Sequence, residues 1–476
     1  MPILQRPKLP IELTLPPRKA AMIAKTDVLV IGGGPAGLGA AVGAAKTGAK
    51  VILIERYGFL GGNATAALVM PLMSFHTQTK ATHPPRSTNG LLFPNDHGPG
   101  DPVVAGVLSE LLERLIKSGG AISPTLQTGY VVPFDPEVFK IVAMEWLDDH
   151  GVEMLFHSFV SGIFEQNEKW GAVLETKSGP LVITADNIID CTGDGDVAVS
   201  AGAKFEVGRM EDHLVQPMTL MFRMIEFQRT GFNDYIQRNP QQWKGVHGLW
   251  DLIKQATLNG ELDLSREDML FFDTPHEKEI SVNSTRITKV LGTDVWDLSY
   301  AEWEGRRQIK RISTFLKKYV PGFENAYVAQ TGVIVGVRET RRIIGDYILT
   351  ANDVLEAKKF DDAIAKCSYP MDVHNPTGKG TLLKRLPDGE SYDIPLRCLL
   401  PKGVDHLLVA GRSISGDHEA HSSYRVMPTA MATGQAAGVC AAIASKKNTT
   451  PRNIDINDIQ KELIVQGAIL ERKKFV

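Results

Sequence analysis

The chain has 476 residues, 43% of them hydrophobic and 22% charged, with a formal net charge of −3. That length supports more than one domain-sized core, and the balanced charge excludes a global field for nucleic acid or an anionic membrane. No apolar run is long enough to span a bilayer. The alanine- and glycine-rich runs near residues 36–45 and 430–444 read instead as packed helices. The first 25 residues carry basic groups but no apolar stretch followed by a cleavage site, so they read as an extended arm on the body. The cysteines, Cys191, Cys367, Cys398 and Cys440, form no C-x-x-C pair. Neither zinc nor an iron–sulfur cluster has ligands at suitable spacing, and a reduced, cytoplasmic setting is expected.

The first element pair is the most informative. Asp27 to Arg56 is an apolar strand, a glycine turn, a small-residue helix and a second strand ending in an acid. Gly32, Gly34 and Gly37 stand at G-x-G-x-x-G spacing. The first permits the tight turn, the second lets backbone approach a pyrophosphate, and the third lets helix and sheet pack closely. The helix N-terminus then offers N–H groups to phosphate. Glu55 falls 18 residues after Gly37, where a carboxylate accepts hydrogen bonds from a ribose diol. The motif predicts a dinucleotide site and leaves NAD or FAD open.

Tyr57–His76 is a second glycine-bearing loop leading into an apolar stretch, and residues 77–100 read as a long loop or flap. Helical spacing predicts helices over 103–117 and 136–150, the latter with Asp135 as N-cap, Pro136 at its first position and Gly151 as its stop. Residues 153–191 read as short strands and turns, an antiparallel meander inserted in an α/β domain. Residues 210–394 mix strands and helices and read as a second domain inserted in the first. The chain returns with a strand and turn near 406–415 and a long helix near 427–445, followed by a short helical tail. The expected division is a discontinuous nucleotide domain (24–209 and 395–446), an insertion (210–394) and a tail (447–476).

Three segments settle the nucleotide by resemblance: ERYGFLGGNATAALV (55–69), IIDCTGDGDVAVSAGAKFEVGR (188–209) and LLVAGRSISGDHEAHSSYRVMPTAMATGQAAG (407–438). They resemble the FAD-dependent oxidoreductases of the glutathione-reductase-like superfamily. More narrowly, they resemble the single-flavin family with a GG-x-A-T loop and an R-V-M-P-T…G-Q-A-A-G terminus. Residues 332–347 and 368–380 resemble that family as well. The resemblance implies an α/β fold: a Rossmann-type FAD domain with an inserted mixed α+β substrate domain. It implies FAD contacts from Gly32, Gly34, Pro35, Ala36, Gly37, Glu55 and Arg56, and from Gly61, Gly62, Asn63 and Ala64 of the second loop. Val160, Thr192, Gly193, Asp194, Gly411, Arg412, Pro428, Gly434 and Ala436 complete the set. Pro428 suits a first helical turn and Met427 cannot cap it, which leaves N–H groups free. The resemblance points them at the flavin pyrimidine.

A flavin exchanges hydride at N5 while the protein supplies orientation, charge and protons. The resemblance offers His374, His418 and Arg425 for those tasks, His374 as a proton-transfer or orienting group and Arg425 as a substrate or cofactor binder. His421 does not match the family pattern, and His76 follows the second glycine loop. Arg338, Arg341 and Arg342 could hold a carboxylate or make buried structural pairs. Cys191 reads as an inert core thiol, and residues 306–311 as a solvated helix face. No second G-x-G-x-x-G occurs in the chain. Electrons are therefore expected from a small-molecule substrate or from an electron-transfer partner. Dehydrogenation of a small organic molecule is the favoured reading. The alternatives are an electron-transfer flavoprotein subunit of a larger reductase, a flavin monooxygenase, or a plain NAD-binding protein.

Overall fold

The computed structural model describes residues 3–7, 12–79, 92, 100–126, 128–166, 169–264, 266–378 and 380–470. Most of the loop expected over 77–100 lies outside the described residues. The arm does lie on the body: Arg6 pairs with Asp294 and sits 5.1 Å above the Trp296 ring, and Arg18 meets Glu175 at 2.8 Å.

Strand β1 (Ala21–Ile31) ends in the buried run Val28–Ile31 and pairs in parallel with β2 (Val51–Ile54), Val28 opposite Val51. A parallel pair needs a crossover, and helix α1 (Pro35–Lys46) makes it. Helix α2 (Val107–Lys117) starts later than expected, because Gly106 takes φ +64° and breaks the turn before it. Helix α3 (Pro136–Asp149) starts where the cap signal placed it: Asp135 accepts from Glu137 N–H at 2.7 Å. Strands β3 (Glu153–Leu155), β4 (Phe159–Gln166), β5 (Lys169–Thr176) and β6 (Gly179–Asp190) complete a sheet ordered β3-β2-β1-β6-β5-β4. The β4–β6 meander is antiparallel, as expected, but it is not an insertion. The long β6 pairs with β5 on one side and with all of β1 on the other, so the meander extends the same sheet.

After α4 (Asp196–Ser200) and β7 (Phe205–Val207) the chain enters a second sheet. Its strands are β8 (Phe222–Ile225), β9 (Trp243–Lys244), β10 (His247–Gly248), β11 (Met269–Asp273), β12 (Glu279–Val282) and β13 (Tyr327–Thr331). They run antiparallel in the order β13-β8-β12-β11-β10-β9. Helices α5 (Arg229–Arg238), α6 (Trp250–Leu258) and α7 (Val295–Tyr319) accompany it. Phe222, Phe232, Trp243, Phe271, Phe315 and Phe323 fill its own core.

Strand β14 (Arg341–Ile343) then returns to pair with β7. Helix α8 (Ala351–Leu355) and strands β15 (Ala363–Cys367), β16 (Met371–His374), β17 (Thr381–Lys384) and β18 (Tyr392–Pro395) follow. Leu349, Ile364, Tyr369, Tyr392 and Ile394 pack into the core of the first sheet's helices, not into the second core. Hydrophobic packing thus divides the 210–394 stretch, and the part that builds its own core ends near Val337. Strand β19 (Leu407–Val409) adds to β6 in parallel. Helices α9 (His418–Tyr424), α10 (Met427–Lys446) and α11 (Ile456–Val465) close the chain.

Helices α1 and α10 touch backbone to backbone. A Cβ on Gly39 would lie 2.2 Å from Met431 O, and one on Gly43 2.6 Å from Gln435 O. In return, a Cβ on Gly434 would meet Ala36 O at 2.0 Å and one on Gly438 would meet Ala40 O at 2.1 Å. Glycines four apart on both helices therefore explain why two buried helices are so poor in large apolar residues. Among the described residues no single helix is long and apolar enough to cross a membrane. The α9–α10 pair passes on composition but is bent by 92°.

Candidate functional site

The glycine turn between β1 and α1 is built by contacts. Gly32 has φ +103°, and a Cβ there would lie 2.5 Å from Cys191 O. A Cβ on Gly37 would lie 1.8 Å from Gly32 O. Gly34 faces only Gly62 Cα, at 3.7 Å, so two glycine loops meet with no side chain between them. Gly61 N–H donates to Gly33 O at 2.8 Å and locks that meeting. Glu55 accepts from Gly33 N–H at 2.7 Å and from Tyr57 N–H at 2.9 Å. Burial raises its pKa, and these amides work against the rise.

A cleft of about 1120 Å³, part of it open to solvent, runs past this turn. Gly32, Gly34, Pro35, Ala36, Glu55 and Arg56 line it from the β1–α1–β2 unit. Gly62 and Asn63 line it from the second loop, Val160 from β4, and Thr192, Gly193, Asp194, Gly411 and Arg412 from the ends of β6 and β19. Ile334, Val337, Arg425 and Met427 contribute side chains from the second sheet's unit and from the α9–α10 corner. The strand ends and helix starts converge here, as ligand sites in parallel sheets do. Neither α1 nor α10 has a side-chain N-cap, so their first N–H groups remain available to an anion. These features fit FAD: bare backbone for the pyrophosphate, a buried acid for a ribose, and a roomy mixed-polarity chamber beyond.

Arg412 ties the far rim together. It donates through Nε to Gly193 O at 2.8 Å, through Nη2 to Asp194 Oδ1 at 2.5 Å, and through Nη1 to Val337 O. Thr340 Oγ1 donates to the same Asp194 oxygen at 2.9 Å. Beneath them, buried Asp190 accepts from Thr192 N–H, Thr192 Oγ1 and Ala198 N–H and shapes the turn. Burial pushes its pKa up to about 6.

Several expected cofactor residues stand behind the cleft wall. Gly37 and Gly434 are glycines because backbone oxygens fill the space of a side chain. Gly61 shapes the second loop at φ +110°. Ala64 and Ala436 are fully buried in the core, and Pro428 is buried in the first turn of α10.

Of the three residues expected to carry chemistry, only Arg425 lines the cleft. Its Nη2 lies 3.7 Å from Asp372 Oδ2, and its buried Nε has no hydrogen-bond partner among the described residues. The same Asp372 oxygen stands 3.3 Å from His374 Nε2 and accepts from Tyr369 OH at 2.9 Å. His374 is thus one residue removed from the cleft, with Nδ1 at 3.2 Å from Thr381 Oγ1. Burial lowers the His374 pKa to about 4, while Asp372 opposes that shift and Arg338 adds to it. Burial would raise Asp372, but His374 and Arg425 hold its carboxyl well below the usual carboxylate range. Sequence reasoning missed Asp372. The signal was present: Asp372 and His374 are two apart on β16, which puts both on one face.

His418 is buried away from the cleft, with Nδ1 at 2.9 Å from Glu339 Oε1. Glu339 also accepts from Arg342 Nη1 at 2.5 Å and from Gln216 N–H at 3.0 Å. This network, His418 included, fastens α9 to the segment after Val337. Arg341 pairs with Asp196 at 2.7 Å. His76 stacks on Tyr130 at 3.9 Å and does not line the cleft, and burial lowers its pKa to about 4. Cys191 is buried, and burial raises its thiol pKa far up, but the residue also lines the cleft rather than the core alone.

His421 is completely buried, and neither ring nitrogen has a hydrogen-bond partner among the described residues. Burial, then Arg342 and Arg425, hold its pKa well below the ordinary value, so it is neutral in the fold. The unfolded chain takes up this proton as pH falls through about 6.5. Stability is therefore full above that value and falls below it, by about 1.4 kcal/mol per pH unit for this one proton. His421→Leu is expected to remove that share of the slope in urea unfolding between pH 6.5 and 5. An unchanged slope would mean that His421 protonates in the native state.

Residues 27–463 match the family model described as FAD dependent oxidoreductase. None of the curated proteins matches the chain significantly. Among solved structures, p-nitrophenol 4-monooxygenase from Pseudomonas putida DLL-E4 aligns at 11% identity over 94% of this chain and 85% of its own, with a TM-score of 0.47. A geranylgeranyl bacteriochlorophyll reductase-like protein from Thermoplasma acidophilum aligns at 14% identity over 93% and 83%, TM-score 0.41. A flavoprotein/dehydrogenase from Cytophaga hutchinsonii aligns at 14% identity over 92% and 82%, TM-score 0.42. At these TM-scores the likenesses decide nothing about the reaction. The family match spans most of the chain: the protein belongs to the FAD-dependent oxidoreductase family.

Proposed function

We propose that the protein is an FAD-dependent dehydrogenase of a small organic substrate, with its active site where Val337, Met427 and Arg425 meet in the cleft. The observation that carries this reading is the chain Arg425–Asp372–His374, which fixes a cation at the cleft wall. When bound, FAD supplies the hydride acceptor. With Asp372 ionised and His374 neutral at pH 7, Arg425 stays charged at the cleft wall and can hold a substrate oxygen as hydride leaves, the substrate's hydroxyl or amine proton going to solvent at the open end of the cleft. The assignment of Gly32, Gly34 and Glu55 to the adenosine diphosphate half follows the general rule for this turn. It leaves the chamber toward Ile334 and Val337 for flavin and substrate.

The test is anaerobic mixing of the holoenzyme with a panel of alcohols, amines and hydroxy acids. Bleaching of the visible flavin bands by one donor, with recolouring by an added quinone, is expected. Two outcomes would overturn the reading. One is reduction only by a nicotinamide nucleotide, with a product oxygen drawn from labelled dioxygen. The other is reduction only through a co-purifying iron–sulfur protein.

A further inference from the structure

We propose that the substrate carries a carboxylate, and that Arg338 and Arg425 hold it at the edge of the flavin chamber. This rests on the placement of the substrate end at Arg425. Arg338 is next in sequence to the cleft-lining Val337. It is anchored through one nitrogen only: Nη1 donates to Pro217 O at 2.6 Å and to Thr219 Oγ1 at 2.7 Å. Among the described residues its Nε and Nη2 make no hydrogen bond, and no carboxylate lies within ion-pair distance of it.

The surroundings hold more donors than acceptors. Arg425, Arg266 and Arg286 act against the charge of Arg338, and the carboxylate of Asp372 offsets them in part. Arg266 is already paired with Asp268 at 2.9 Å. Arg286 spends Nη2 on the carbonyls of Asn375 and Gly380, at 3.1 and 2.9 Å. Asp372 is shared between His374, Tyr369 and the more distant Arg425. That leaves Arg338 without a counter-charge of its own, and burial with Arg425 nearby lowers its pKa to about 9.

Three buried donors are also unspent among the described residues, one of them Arg286 Nε. The other two are Arg425 Nε and Nε2 of Gln216, neither with a hydrogen-bond partner among the described residues; Gln216 has 0% exposure and its Oε1 accepts from His374 N–H at 3.4 Å. Buried donors without partners are costly and rare unless a ligand completes them. A pair of guanidinium forks beside an amide N–H matches a planar, two-oxygen anion. A neutral substrate would leave the forks unpaired.

The experiment titrates the holoenzyme with acetate, succinate and benzoate, and in parallel with acetamide, succinamide and benzamide, reading the flavin difference spectrum. At least one acid is expected to give a saturable change that its amide does not. Arg338→Met is expected to weaken that acid by about tenfold or more, with Arg338→Lys in between. If Arg338→Met loses its flavin, Thr219→Val serves instead, because it removes the hydroxyl that orients Arg338. A weaker acid affinity is expected there too. The inference is overturned if no acid perturbs the flavin, if amides bind as well, if the variants bind as wild type does, or if inorganic phosphate binds as tightly at the same arginine. Bleaching by an uncharged donor with unchanged KM in Arg338→Met would sink this inference and leave the dehydrogenase reading standing. Acid-specific spectra through Arg338, in a protein that no donor bleaches, would do the reverse.

Discussion

Arg425→Met is expected to keep its FAD and lose about 100-fold in turnover, the usual cost of removing one charged donor from a reacting centre. Arg425 sits at the 92° corner between α9 and α10, where the backbone is held by its own N–H to His421 O at 3.3 Å. The fold therefore does not depend on the side chain for that corner. Its side chain is 15% exposed, lines the cleft and approaches Asp372 without reaching hydrogen-bond distance. Methionine keeps the stem and removes the charge. Asp372 and His374 then lose the positive group that helps keep Asp372 ionised, so the His374 pKa should also move. The pH profile of kcat/KM reads this directly: a wild-type acid limb near pH 4, where His374 protonates, is expected to shift upward in the variant. Wild-type turnover and an unshifted limb in a flavin-replete variant would contradict the assignment.

Gly434→Val is expected to prevent stable folding or, if the protein is recovered, to leave it free of flavin. The added Cβ would lie 2.0 Å from Ala36 O, an approach no real structure tolerates. Relief requires α10 to move away from α1, and both helices are rigid and buried. Overpacking of this kind costs about 3 kcal/mol or more. The movement would also pull the α10 N-terminus, Met427 and Ala430, from the cleft they line. Gly378→Ala is the control, because a Cβ there meets nothing within 4 Å. Urea midpoints and flavin content of the two purified variants test the expectation. Equal midpoints would show that α1 and α10 can part freely.

The parts of this fold that are legible in the sequence are those coded locally. The β1–α1–β2 unit is readable because its strand, glycine spacing and terminal acid all fall within residues 27–56. The Asp135 cap is readable because the cap and the first turn are adjacent. Contacts between distant segments are not. Gly434 looks like a cofactor glycine until α1 is laid against it. The β4–β6 meander looks inserted until β6 is seen to pair with β1 along its length. Residues 349–394 look continuous with the inserted unit, yet they pack on α10's side. His418 looks catalytic beside Arg425 in sequence, but the turn of α9 carries it onto Glu339 and away from the cleft. Within the site, Asp372 shows the same limit: its role comes from Arg425, 53 residues on, which only the fold brings near.

The most direct test of the account is the visible spectrum of the purified protein, followed by acid precipitation and identification of any released nucleotide. The account predicts a yellow protein with the two flavin bands and FAD in the supernatant, lost in Gly434→Val and kept in Arg425→Met. A colourless protein that cannot be reconstituted with FAD would contradict it, and the cleft at Gly32, Gly34 and Glu55 would then have to serve another ligand.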